Sequence, residues 1–393
     1  MRRFISILFF LGLVGAGAYY YYNTNEEFRN FVVDLLPKEE QSADTLTTQT
    51  QTPPVIIEKK STQKKTPKSL KPGAYASLDE YARKTPKQNE QDIETLAAYL
   101  IKPAKNDLEK VRVIFTWVAT HVSYDDDAFN SGNYPDYSAD NVLVNKKAVC
   151  EGYSNIFKAL CEAAGFEAEK IVGYAKGYSY SIGDKIEESN HAWNAVKINN
   201  KWLLFDPTWG SGFGTQKNGK LVSTLQFEPY WFNVNPKAFI FTHLPEQPEW
   251  QLTGGSITLD KYQTMPYLRG SFFEFGFNPD IIYSDVMSGK VKEFVEIYSY
   301  EFPIKVIQVP YTLNLTRQSE IKFEIQSDYA EEIALVDDNN WNYFKKENNT
   351  FTISHKPTGK ELSICVKINS FDKNFSTIAK YKVTDSGDNT ALN

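Results

Sequence analysis

Thiols and imidazoles are scarce in this chain: three cysteines and four histidines in 393 residues. Cys150, Cys161 and Cys365 are odd in number and widely spaced, so neither an even-numbered disulfide framework nor a four-thiolate metal site can be drawn from them. Surplus positive charge is also missing. Against 49 Asp and Glu there are 43 Lys and Arg, a net charge of −6, so nothing is available to track a phosphate backbone and nucleic acid is not an expected partner. There is no glycine-rich phosphate loop, dinucleotide fingerprint, EF-hand loop or zinc-spaced cluster, and no cofactor is expected.

Apolar material is ample by contrast. A hydrophobic fraction of 41% with 24 Tyr and 26 Phe leans toward strand-rich structure, and the length suggests two folded units plus non-globular sequence. After Arg2 and Arg3, residues 4–22 run without a charge, about the 18 to 20 residues that cross a bilayer as a helix. The two arginines belong on the cytoplasmic side, which places the rest of the chain outside the cytoplasm. Ala16-Gly17-Ala18 has the small-x-small form of a signal-peptidase site, while Tyr19 to Tyr22 resemble an interfacial aromatic belt. Residues 1–22 therefore read as a membrane anchor or as a signal peptide whose removal leaves a secreted protein. Residues 23–74 read as a flexible linker, since the Thr-, Gln-, Lys- and Pro-rich part near 37–72 buries too little surface to offset the entropy of ordering.

Between residues 77 and 122, Leu96 and Leu100, then Val111, Ile114, Phe115 and Val118, follow helical spacing on either side of a turn near Pro103. Two helices are expected, the second capped by Asn106 or Asp107. Residues 124–141 are polar and read as a surface loop. Val149-Cys150-Glu151-Gly152-Tyr153 then opens a helix with Ile156, Phe157, Leu160, Cys161 and Ala164 inward and Gly165 as its left-handed end. Cys150 falls at the start of that helix, where unpaired amides and the helix dipole favour a negatively charged thiolate, the nucleophilic form. Cys161, about three turns further on, reads as core.

Residues 190–196 and 202–208 read as two strands joined around Asn199-Asn200. A two-residue turn makes Ile198 oppose Lys201, so Trp193 would oppose Asp206 and His191 would oppose Thr208. His191 and Trp193 then share a face with Asp206, the diagonal neighbour of the histidine. An aspartate bonded to one ring nitrogen leaves the other for a thiol, and Cys150, His191 and Asp206 become candidates for nucleophile, base and orienting acid.

Three motifs carry a resemblance. Ile114-Phe115-Thr116-Trp117-Val118 ahead of Val122-Ser123-Tyr124-Asp125, then Val149 to Tyr153, then His191-Ala192-Trp193-Asn194 with Phe205-Asp206-Pro207-Thr208-Trp209-Gly210 resemble the transglutaminase-like superfamily of the papain-like fold. The similarity is strongest to bacterial relatives of the kyphoscoliosis-peptidase and cytokinesis-protein group, and Tyr230-Trp231-Phe232, Phe239 to Pro245 and Trp250-Gln251-Leu252 resemble its closing segment. The resemblance implies an α+β domain over residues 75–253, with N-terminal helices packed on an antiparallel sheet. It implies that Cys150 attacks an amide carbonyl of a protein or peptide, that His191 shuttles the proton and that Asp206 orients the histidine, while His243 matches a motif without a catalytic role. Family members include peptidases, transglutaminases, deamidases and catalytically inactive scaffolds, so the alternative is an inactive binding or scaffolding protein of the cell envelope.

Residues 254–299 read as a connecting segment with one helical piece near 265–277. Alternating stretches at 304–309, 320–325, 351–354, 363–368 and 378–383 suggest a β-sandwich over 300–385, similar to an immunoglobulin-like module, with Cys365 buried in a strand. Residues 386–393 read as a disordered tail.

Overall fold

The computed structural model describes residues 73–177, 180–298, 302–368 and 374–387, all within the compact unit that spans residues 53–393. The apolar run at 4–22, the tether up to residue 72 and most of the expected tail lie outside the described residues. Among the described residues no helix is long and apolar enough to cross a membrane.

Among the described residues six α-helices precede the sheet: α1 (Ala76–Arg83), α2 (Ile93–Leu100), α3 (Asp107–His121), α4 (Asp126–Ser131), α5 (Ala139–Asn145) and α6 (Cys150–Ala163). Three of them stand before residue 122, where two were expected. The additional one, α1, is tied to α3 by the pair Asp79–Arg112. Asn106 does cap α3, its side chain accepting from the Glu109 amide at 2.9 Å. The expected loop at 124–141 is also corrected, because it holds α4 and the start of α5. Asp125 caps α4, and Gly132, at φ 70°, ends it. Only Ala128 of α4 is buried, so no apolar stripe marked it.

Helix α6 begins at Cys150 with Ile156, Phe157, Leu160 and Cys161 inward, and Gly165 follows at φ 88°. Gly152 is required in its first turn, since a Cβ there would lie 2.6 Å from Cβ of Ala148.

The sheet has five antiparallel strands, β1 (Ala168–Ala175), β2 (His191–Ile198), β3 (Lys201–Phe205), β4 (Phe232–Val234) and β5 (His243–Pro245), in the order β4-β3-β2-β1-β5. Ile198 opposes Lys201 across a turn in which Asn199 and Asn200 are both left-handed. Period-two alternation divides the side chains. Val196, Ile198 and Phe205 pack on the helices with Phe115 and Phe157, while Ile171, Trp193, Ala195 and Leu204 pack on the other face with Phe239. The paired register ends at Asn194 opposite Phe205, three residues early. Pro207 has no N–H, so β3 stops at Phe205, Asp206 becomes the cap of a short helix α7 (Pro207–Ser211), and the expected oppositions of Trp193 with Asp206 and His191 with Thr208 do not form.

Beyond residue 254 three short helices, Leu259–Thr264, Gly270–Glu274 and Pro279–Met287, replace the single expected one. Two sheets follow, one containing Lys305–Gln308, Ile321–Gln326 and Thr350–His355, the other Glu332–Asp337, Glu361–Lys367 and Ser376–Thr384. Phe323, Ile325 and Phe351 of the first meet Leu335, Ile364 and Tyr381 of the second in one apolar core, and Cys365 is buried. That core is continuous with Ile240, Phe241 and Leu244 beside β5.

Candidate active site

Cys150 is the first residue of α6, preceded by Val149, which is extended and supplies no side-chain cap. The opening amides of a helix lack intrahelical partners, so this end can receive a developing negative charge next to the thiol. Cys150 is partly exposed, whereas Cys161 and Cys365 are buried.

His191 opens β2 and Asp206 follows β3, so the hairpin delivers both side chains to the same end of the sheet. Nε2 of His191 lies 2.8 Å from Oδ2 of Asp206. The other carboxylate oxygen accepts the Trp209 amide at 3.0 Å, so the capping role of Asp206 fixes its orientation. Asp206 has no exposed surface and His191 is 8% exposed. The contact expected across the hairpin thus forms through a helix cap instead of a strand position.

Burial works against a charged ring at His191, yet the charge and hydrogen bond of Asp206 outweigh it, Cys150 adds to the effect, and the imidazolium is held up to about 10. Asp206 experiences the converse. Burial pushes its carboxyl up, but His191 and His243 together hold it far below the ordinary carboxylate range. At neutral pH the pair is imidazolium and carboxylate. With Nε2 engaged by Asp206, Nδ1 is the ring nitrogen left for the thiol. Tyr124, paired with Ala148 just ahead of the helix, is kept as a neutral phenol by burial and by its proximity to Cys150.

A second histidine belongs to this centre, one that sequence reasoning left without a role. His243 opens β5, is fully buried, and places Nε2 3.1 Å from Oδ2 of Asp206. Its Nδ1 lies 2.8 Å from Oγ1 of Thr242. Its ring stacks on Phe239 at 3.9 Å between centroids and is edged by Trp209 at 4.3 Å, Trp193 at 5.1 Å and Trp231 at 5.5 Å. Burial, only partly opposed by Asp206, lowers it to about 4. It lies 37 positions beyond Asp206, and the sequence offered only its place in the closing-segment motif, which carried no catalytic role. His121, at the end of α3, stacks on Trp117 at 5.1 Å.

Ligand atoms of His191, Asp206 and His243 lie within 4.8 Å of one another, close enough to consider a metal. Both Nε2 atoms instead converge on one carboxylate oxygen at hydrogen-bond distances, and Asp206 and His243 expose no surface. The donor set is that of a hydrogen-bonded chain.

Residues 94–207, which contain Cys150, His191 and Asp206, match the family model described as the transglutaminase-like superfamily. Kyphoscoliosis peptidase of Mus musculus is 31% identical over 205 residues, covering 51% of this chain and 31% of that protein. The Homo sapiens protein of the same name is 30% identical over 226 residues, covering 56% and 34%. Hillarin of Drosophila melanogaster is 29% identical over 221 residues, covering 52% and 26%. The chain therefore spans about a third or less of the length of these relatives. A solved structure described as a TGase is 22% identical, covering 39% of this chain and 37% of that chain with a TM-score of 0.23. With helices packed on an antiparallel sheet and a matching segment that contains Cys150, His191 and Asp206, residues 94–207 carry a transglutaminase-like domain.

Proposed function

We propose that the chain is a thiol-dependent acyl-transfer enzyme acting on protein or peptide amides, with Cys150 as nucleophile, His191 as proton shuttle and Asp206 as orienting acid. The observation that carries this reading is the 2.8 Å bond from His191 to the buried Asp206, beside a partly exposed cysteine at a helix start. A protonated ring next to Cys150 places a proton donor beside the sulfur. The sulfur attacks the amide carbon, a C–S bond forms, and the carbonyl electrons move to oxygen, where the Cys150 amide at the start of α6 is a donor. His191 gives its Nδ1 proton to the departing nitrogen as the C–N bond breaks, leaving a thioester. Water or an amine then attacks, His191 takes the proton from it, and the thiolate leaves with its ion pair restored. Peptidase, deamidase and transglutaminase outcomes differ only in the leaving group and in what resolves the thioester. The names of two relatives, both kyphoscoliosis peptidases, favour the peptidase outcome.

The arginines and the apolar run at 4–22 support a catalytic domain outside the cytoplasm, anchored through the N-terminus or released by cleavage. An inactive scaffold would have no need of a charge pair buried beside an accessible cysteine.

The test follows dimethylcasein with the full chain, reading peptide release, ammonia release and incorporation of a fluorescent alkylamine. At least one readout is expected for the wild type, with a loss of at least about 10³-fold in Cys150→Ala. Activity that survives in Cys150→Ala, or no activity together with a Cys150 that alkylates no faster than a free thiol at pH 6.5, overturns the proposal.

A further inference from the structure

We propose that His243 is a positioning residue, a neutral buried imidazole that donates its Nε2 proton to Oδ2 of Asp206 and so completes a chain Cys150–His191–Asp206–His243. The inference rests on the acyl-transfer reading and assigns a role to a group which that mechanism does not use.

Two rings converge on a single carboxylate oxygen, His191 at 2.8 Å and His243 at 3.1 Å, with their centroids 5.4 Å apart. The other oxygen is tied to the Trp209 amide. Three donors therefore fix both the position and the plane of the carboxylate, and its bond to His191 cannot swing aside without breaking two others. An ionised carboxylate only accepts, so Nε2 of His243 must carry a proton. The opposite nitrogen lies 2.8 Å from the Thr242 hydroxyl, which also donates to the Phe239 carbonyl at 3.2 Å, so the hydrogen toward Asp206 is required by the carboxylate, which only accepts.

The surroundings enforce neutrality. Asp206 and His191 are the charged groups facing His243, while Thr242, Phe239, Trp193, Trp209 and Trp231 carry none. A second cation would be repelled by the imidazolium of His191 and would lack solvent to stabilise it, in keeping with the lowering to about 4. A neutral donor has a different effect. It stabilises Asp206 as the anion without competing for its charge, so the shared proton stays on His191, where the thiol can use it.

The aromatic enclosure also supplies a way to separate positioning from packing. Phenylalanine at position 243 keeps a ring against Phe239 and loses the donor, whereas glutamine keeps an N–H donor and loses the ring. The assay is alkylation of Cys150 by iodoacetamide in the full chain, followed by peptide mass spectrometry from pH 4 to 9, which requires no substrate. The wild type is expected to label fast below pH 7. His243→Phe is expected to label about tenfold more slowly at pH 6, because the carboxylate that aims His191 at Cys150 loses one of its three donors. His243→Gln is expected to recover most of the rate. If His243→Phe does not fold, His243→Asn takes its place, since its shorter amide stops short of Asp206 and should label slowly. A purely structural role requires the reverse order, with Phe at least as good as Gln, and either that order or a wild-type profile in all variants overturns the inference. A wild-type Cys150 that titrates like a free thiol instead brings down the acyl-transfer reading, an outcome distinct from failure of the His243 role alone.

Discussion

Replacing Asp79 with alanine would strand a guanidinium inside the protein. Nε of Arg112 lies 2.7 Å from Oδ1 of Asp79 and Nη2 lies 2.8 Å from Oδ2, a bidentate pair joined by the Thr116 hydroxyl at 2.7 Å. Arg112 is 4% exposed, with the rings of Tyr75, Phe227 and Phe232 at 5.1, 5.1 and 4.9 Å from its guanidinium carbon. Breaking a buried pair from one side costs about 3–5 kcal/mol, because the remaining charge is left without compensation. With an unfolding entropy of about 2.1 cal/mol/K per residue over residues 53–393, that corresponds to a fall in Tm of roughly 4–7 °C. The double variant Asp79→Leu with Arg112→Met removes both charges and retains apolar volume, so it is expected within about 2 kcal/mol of the wild type. Thermal and urea unfolding of the single and double variants measure both quantities. If Asp79→Ala costs less than about 1 kcal/mol, or if the double variant is as damaged as the two singles added together, the pair does not tie α1 to α3 in the way described.

Asp206→Asn keeps the shape of the cap and removes the charge that holds His191 as a cation, so Cys150 alkylation at pH 6.5 is expected to fall about tenfold. An ordinary thiol near 8.5 is about 1% ionised there, partly offset by its greater nucleophilicity; an unchanged rate would refute the ion pair. Lys176 is fully buried, its Nζ donating to the carbonyls of Tyr262 and Met265 at 2.9 Å each, and burial lowers it to about 8. Its unfolded value is about 10.4, so between those pH values the unfolded chain binds more protons and the folded state gains stability as pH rises. The stability of the wild type relative to Lys176→Met is therefore expected to increase from pH 8 to 10, and a flat or falling difference in urea unfolding would contradict the burial of that charge.

Local chemistry was legible in the sequence and long-range closure was not. Asn199-Asn200 announced the hairpin turn because asparagine tolerates the left-handed conformation both residues adopt. The start of α6 at Cys150 followed from the apolar spacing behind it and Gly165 beyond it. The contact of His191 with Asp206 was expected on the strength of strand alternation, but Pro207 converts that position into a helix cap, and the cap makes the contact instead. Helix α4 escaped notice because it buries one alanine. The strand Glu332–Asp337 escaped because Ile333 to Val336 are buried without alternation. His243 could not be connected to Asp206 at all, since no periodicity spans a separation of 37 positions.

Strand β5 joins two regions that the sequence divides into separate modules. His243 turns toward Asp206, while Leu244 and the preceding Phe241 enter the core that runs through residues 262–306 into the sandwich. Gly173 allows this closeness, because any Cβ on it would lie 2.2 Å from the Leu244 carbonyl. The sandwich is therefore not a detachable passenger. A chain cut near residue 253 would retain every residue of the candidate centre and yet leave the far side of β5 facing water, so inheritance of this site requires inheritance of the apolar scaffold behind it.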